Sequence, residues 1–583
     1  MTQTLGLVSV RRVLALSLLA AAFALTPFAQ IAQAQSATEG VRDLYVVDGR
    51  DAVIEQSRGE VEPNLRGQQL SGQAVPLPPA PSIPTSGGAG LMWREADAGQ
   101  GWIGRTVALG DHGTQVFTEF DVAADRTQLV SSFDSAPVTP LFQYPQVPGS
   151  QNAKVDAAQD AGVYASCRQV PVSGPSGPRN TFVSAYTALG GLAWTYQFPT
   201  ATYGPARAMV SRDGTRIVAG MLDSNGKLQL RVFQSGSGVP VWEGSFTNGP
   251  QLRSLLLTAD GSLVYWASGT TCTIWNVDTH QILANFVLIS ALDCHAISAD
   301  GRVFAYGGFN YVDVYERQPT GNYVRTHVWN VPGQAVCSKL DVSADGSTIV
   351  AGFNLWDFNV GVKIMALDVP TKTVTMTDTA IGAGTLQNIV SDIVVSADGQ
   401  RFVVGLWGDE AGLVDDLRFY RRHQNAPVAT YAYPGSVYDV DLTSDGLRVA
   451  VAAKAVHANL YMGGGTIDLY AFEREDLVMR GIPRAGSVVR FEMSNAPNSP
   501  ARLLSAPSAA MHPLFLGGIG TLQLNRFTMS SVSMGTTGPD GVAVRDYTFS
   551  GPAHTIGTKR CFQGVVTSPR RLTDTWIELT VLP

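Results

Sequence analysis

Aspartate is the first side chain in this 583-residue chain whose placement could support chemistry. Asp111, Asp160, Asp213, Asp260, Asp300, Asp345, Asp398 and Asp445 recur every 40 to 53 residues, each followed at once or within two positions by Gly. A calcium loop needs several carboxylates in series, and these stand singly. Asp bonds its own backbone two residues on, and Gly accepts positive φ, so the expected role is the closing of tight hairpins. A second acidic set, Asp409, Glu410, Asp415 and Asp416 in WGDEAGLVDD (407–416), reads as a solvated loop rather than a metal site. Asp293-Cys294-His295 is the most tempting catalytic string. No partner base or nucleophile is marked beside it, so a structural role is expected. The eight histidines show no HxH or HExxH spacing, and GxSxG is absent. No catalytic residue, metal ligand or cofactor is therefore expected.

The five cysteines, Cys167, Cys272, Cys294, Cys337 and Cys561, form no CxxC pair. Cys294 and Cys337 fall on equivalent strands of neighbouring repeats and could join as a disulfide. Cys272 is an equally fair partner for Cys294. An odd number leaves at least one thiol unpaired within a monomer.

The elements that must position these residues are written in the repeat itself. LDVSADGSTIVAGF (340–353), IVVSADGQRFVVGL (393–406) and AMVSRDGTRIVAGM (208–221) share one form. An apolar alternating segment is followed by Ser-x-Asp-Gly and then by a second apolar segment ending in small residues. The segments are β-branched or aromatic and too short for helices. A third strand follows, such as LQLRVF (228–233) or TIDLYAF (466–472), and then a fourth, such as VPVWEGSF (239–246). Four antiparallel strands at this period predict an all-β fold, a β-propeller. Counting the two decayed copies at Asp111 and Asp160 gives eight blades, or seven if the first is only an N-terminal cover. Ala219-Gly220 and Ala351-Gly352 suit strands crowded near the axis.

CTIWNVDTHQILANF (272–286) resembles the tail of a WD-repeat blade. The S-A-D-G turns, with TALGGLAWTYQF (187–198) and QSGSGVPVWEG (234–244), resemble bacterial secreted propellers of the quinoprotein and amine dehydrogenase β-chain class. The likeness spans about residues 105–480. It implies the fold, and it raises a quinone-dependent dehydrogenase as an alternative function. That family's adjacent cysteine pair, calcium-holding carboxylate and regular tryptophan spacing have no counterpart here.

The flanks complete the organisation. Residues 1–34 carry Arg11 and Arg12, an apolar run and small residues at Ala32 and Ala34, the pattern of a secretory signal. The expected location is secreted or periplasmic, with no membrane insertion. Residues 35–62 form a polar segment, 63–92 a Pro/Gly/Ser-rich linker, 93–481 the propeller, and 482–583 a small β-sandwich of short strands. The absence of any Asn-x-Ser/Thr site favours a bacterial source. Removing the leader takes the net charge from −7 to −9, since it holds two Arg and no acid. That balance argues against nucleic acid as a partner.

Strand alternation puts the Asp-Gly turns on one rim and the loops between second and third strands on the other. The latter vary and carry aromatics: Trp356 and Phe358 in FNLWDFNVG (353–361), Trp407, and Tyr461 in AKAVHANLYMGGG (453–465). Variable loops with aromatic anchors on a rigid frame are where recognition concentrates. The expected function is a non-catalytic binding or scaffold protein engaging a protein or glycan through these four residues. The alternatives are a propeller enzyme acting on a small molecule or glycan, and a structural surface protein.

Overall fold

The structure is a computed structural model that describes residues 43–47 and 50–54 and, with gaps at several loops, residues 90–581. The predicted leader (1–34) and most of the linker lie outside the described residues. Among the described residues every regular element longer than one turn is a strand, and no helix is long and apolar enough to cross a membrane. Residues 1–68 form a unit of their own, in which Asp43–Val47 pairs antiparallel with Arg50–Ile54.

Between residues 90 and 471 the chain makes eight four-stranded antiparallel sheets. Blade 1 spans 102–145, blade 2 151–197, blade 3 206–247, blade 4 252–287, blade 5 295–330, blade 6 335–381 and blade 7 390–431. Blade 8 takes three strands from 436–471 and its outermost from Gly90–Ala96, far upstream. The first strand of each blade packs against the first strand of the next, and Ser436–Leu442 of blade 8 packs against Trp102–Leu109 of blade 1. The ring is closed and has eight blades, including both decayed copies.

The strand that seals the ring overlaps the end of the predicted linker. It is held by charge as well as by its ladder. The Arg94 guanidinium grips Asp468 with two bonds of 2.7 Å, and the Tyr433 hydroxyl donates to the same carboxylate at 2.6 Å. Asp468 is fully buried, so these bonds replace the water it has lost.

Apolar residues of adjacent sheets form the cores between blades. Val350 and Ile364 of blade 6 meet Phe402 and Leu406 of blade 7 in one cluster. Each such side chain, fully buried, contributes about 1.5–3 kcal/mol. The small residues predicted to crowd the axis mark where one blade leans on the next. A β-carbon on Gly352 would lie 2.6 Å from a methyl of Val390, and one on Gly405 2.6 Å from a methyl of Val437. The first strands also bulge, as at Cys337/Lys339, Val390/Asp392 and Val437/Asp439. Each bulge bends its strand locally and increases its twist.

Residues 477–581 form a three-stranded sheet (Leu477–Arg480, Val488–Ser494, Val542–Thr548) and a four-stranded one (Pro500–Ala506, Ser530–Thr536, Lys559–Thr567, Arg570–Thr580). Phe491 and Met493 of the first share a core with Leu503, Phe562 and Leu579 of the second.

Candidate functional site

The repeated aspartates are structural, and their bonds repeat from blade to blade. In six blades the turn Ser or Thr hydroxyl donates to the Asp carboxylate at 2.6–2.8 Å: Ser211 to Asp213, Thr258 to Asp260, Ser298 to Asp300, Ser343 to Asp345, Ser396 to Asp398 and Thr443 to Asp445. The same carboxylate oxygen accepts the backbone N–H two residues on, as from Thr215 and Ser347. The turn glycines have φ of 68° to 74°, which closes the hairpin without strain. Partial burial alone would raise Asp213 and Asp260. The bonds they accept outweigh it and hold both below the usual carboxylate range.

Adjacent turns are joined by backbone bonds around the axis. Gln159 N–H donates to the Arg212 carbonyl, Ala259 to Ala299, Ala299 to Ala344, and Ala397 to Ser444. The collar explains why the turn position after Ser is small in most copies. Arg212 is the exception: its guanidinium reaches from blade 3 to the Ser444 hydroxyl of blade 8 at 3.2 Å.

Behind the collar, first-strand carboxylates cap the N–H groups of the next blade's first strand, an edge with no ladder partner on that side. Asp156 accepts from Val210 at 2.7 Å, Asp341 from Val395 at 2.8 Å, Asp439 from Val107 at 2.9 Å and Asp441 from Leu109 at 2.6 Å. Burial pushes Asp341 up to about 6 despite the bonds it accepts. These capping aspartates were not singled out from sequence. Their signal was present, an Asp two or four residues before the turn Ser or Thr in several copies.

On the opposite rim, Trp407 is the one described member of the four expected contact residues, and it is buried. Trp407 is 1% exposed and lies in the interior, with its carbonyl accepting from the Ser436 hydroxyl and its backbone N–H bonded to Ile389. It sits two residues beyond Gly405, at the end of a second strand, where the chain still runs between blades 7 and 8. Trp356, Phe358 and Tyr461 lie outside the described residues.

The acidic loop 407–416 is a set of pins more than a solvated loop. Buried Asp409 accepts N–H bonds from Ala383 and Val414, both at 2.8 Å. Exposed Glu410 accepts the N–H and hydroxyl of Thr385. Asp416 takes the Tyr433 N–H at 2.6 Å, and burial holds its carboxyl well above the usual range. His457 of blade 8 completes the lacing. Its Nδ1 accepts from Asn459 N–H, so Nε2 carries the proton and faces the Gly408 carbonyl at 3.3 Å. Burial holds this imidazole below its ordinary pKa, which favours the neutral form. Beside exposed Glu410 and Asn459, this frame holds two aliphatic side chains outward: Leu413, 68% exposed, on blade 7 and Leu460, 42% exposed, on blade 8.

Cys294 and His295 have structural surroundings. The buried His295 ring lies between Tyr265 and Tyr306, at 5.6 and 5.3 Å between centroids. Asp293 is outside the described residues. All five cysteines are buried thiols in this structure, and the Cys294 thiol donates to the Cys337 carbonyl at 2.6 Å. Among the described residues no cluster of three His, Cys, Asp or Glu is arranged to hold a metal ion.

No family model matches the chain, and no curated protein matches it. Among solved structures, the crystal structure of Sqt1 from Chaetomium thermophilum is similar, at 14% identity over 64% of this chain and 97% of that one, with a TM-score of 0.46. The propeller assignment rests on the sheets and the closed ring described above.

Proposed function

We propose that this protein is a non-catalytic binding scaffold of the bacterial cell exterior or periplasm, and that it engages a protein partner through the rim formed by loops between second and third strands. One observation carries the reading: on blades 7 and 8 this rim is pinned by Asp409, Glu410 and His457, yet it holds Leu413 and Leu460 out to solvent. A rigid frame exposing aliphatic tips lowers the ordering cost of binding and supplies apolar area to bury. Leucine tips suit the apolar surface of a protein better than the hydroxyls of a glycan, which they would leave unsatisfied. The leader pattern at residues 1–34 supports export. The two-layered region 477–581 is read as a sandwich module appended to the ring.

The test is cross-linking in the expressing cell, followed by mass spectrometry, with three chains: wild type, Leu413→Asp/Leu460→Asp, and Thr320→Glu, an exposed position in the turn between the third and fourth strands of blade 5, on the Asp-Gly rim. A defined protein partner captured by wild type and Thr320→Glu but lost from the double variant is expected. Equal capture by all three chains, or a glycan ligand unaffected by the double variant, would reject the assignment.

A further inference from the structure

We propose that Cys294 and Cys337 are an oxidation site, closing to a disulfide that staples blade 5 to blade 6. The two thiols sit at neighbouring first strands, and each residue is 1% exposed. Gly307, at the end of the second strand of blade 5, brings them together. A β-carbon built on Gly307 would lie 2.2 Å from the Cys337 sulfur, 2.6 Å from the Cys337 β-carbon and 3.1 Å from the Cys294 β-carbon. Any side chain at 307 is therefore excluded, and both cysteine β-carbons lie within 3.1 Å of one point. A disulfide needs β-carbons about 3.5–4.5 Å apart, which that arrangement accommodates. The backbone holds the approach in place: Gly307 N–H donates to the Cys294 carbonyl at 2.8 Å, and Cys337 N–H to the Gly308 carbonyl at 3.1 Å.

The other cysteines are housed elsewhere. Cys272, the rival partner for Cys294, packs with Tyr265, Ile274 and Phe304. Cys167 belongs to the cluster shared by blades 2 and 3, and Cys561 to the C-terminal region. In the thiol form the Cys294 sulfur points to the Cys337 carbonyl, and the Cys337 sulfur faces the Lys339 carbonyl at 3.5 Å. Rotation about the Cα–Cβ bonds turns the two sulfurs toward each other. The chemistry is thiol–disulfide exchange with a low-molecular-weight disulfide. Both thiols give up their protons, one S–S bond forms in the protein, and the oxidant's S–S bond is broken to two thiols that take the two electrons and two protons. Because both sulfurs are buried, the exchange occurs as blades 5 and 6 dock. This inference is independent of what the loops of blades 7 and 8 bind.

The test uses the full chain in two arms. In one, reduced, denatured protein is refolded in glutathione disulfide. In the other, folded protein is treated with diamide, whose N=N bond takes up the two electrons and two protons. Both samples are denatured without reductant, alkylated and mapped as peptides. The expected result in at least one arm is a peptide joining Cys294 to Cys337, with Cys167, Cys272 and Cys561 alkylated, and a higher denaturant midpoint that reducing agent reverses. Alkylation of both Cys294 and Cys337 in both arms, or a bridge from Cys294 to Cys272, would overturn the proposal. Cys337→Ser should leave Cys294 open to alkylation. If that variant does not fold, the wild-type maps decide alone.

Discussion

The two rims of the ring are built from the same strands and differ in what their polar groups hold. On the Asp-Gly rim, each turn aspartate bonds within its own turn, and the turns join through backbone groups and through arginines such as Arg212, which reaches Ser444. On the opposite rim, Asp409, Glu410 and His457 bond across segments: from the blade 7 loop to the connection leaving blade 6, and from blade 8 to blade 7. Local bonds can be copied from blade to blade because they need only four or five consecutive residues. Bonds across segments need a particular neighbour, so that rim cannot be uniform and is free to carry recognition.

The largest expected effect breaks the closed ring on which both rims depend. Arg94→Met removes the charged partner of buried Asp468 and should cost about 3–5 kcal/mol, read as a lower midpoint in denaturant unfolding. Next comes a direct contrast between the rims. Asp409→Ala should cost about 2–3 kcal/mol, because a buried and a half-buried N–H group lose their acceptor. Asp345→Ala, in an exposed turn, should cost about 1 kcal/mol. Equal losses from the two variants would erase the distinction between local and cross-segment bonding.

The pH dependence separates the Asp-Gly turns from the axial caps by sign. Asp213 and Asp260 have depressed folded pKa values. The stability they contribute is complete above the unfolded value of about 4 and is lost as pH falls through the folded one. Asp341 runs the other way. Burial raises it to about 6, so between about pH 4 and 6 the folded protein holds a proton that the unfolded chain has released, and stability falls as pH rises. Unfolding midpoints across this window should show a smaller decline for Asp341→Asn than for wild type. The smallest effect on stability belongs to Leu413→Asp/Leu460→Asp, expected within about 0.5 kcal/mol of wild type for each exposed site, while partner capture is abolished.

Much of this was legible in the chain. Ser-x-Asp-Gly announced its own hairpin, and Ala351-Gly352 announced a close approach, which Val390 makes. The rim aromatics were less so. Trp407 lies two residues past Gly405, and polarity of the following residues suggested a surface that the inter-blade packing denies. Asp409 read as solvated because its acceptor role depends on Ala383, a residue in another segment. Leu413 and Leu460 are not legible in the chain, since an apolar residue in a loop carries no sign of which way it faces.

By itself the sequence determined the blades: alternation, turn chemistry and period are local, and local preferences act wherever the segment lies. Only the tertiary structure decided the closure by Gly90–Ala96, the burial of Trp407, the capping of one blade's edge by its neighbour's aspartates and the meeting of Cys294 with Cys337. Each of these depends on residues distant in the chain coming within a few ångströms, and that distance is set by how eight sheets share a single ring.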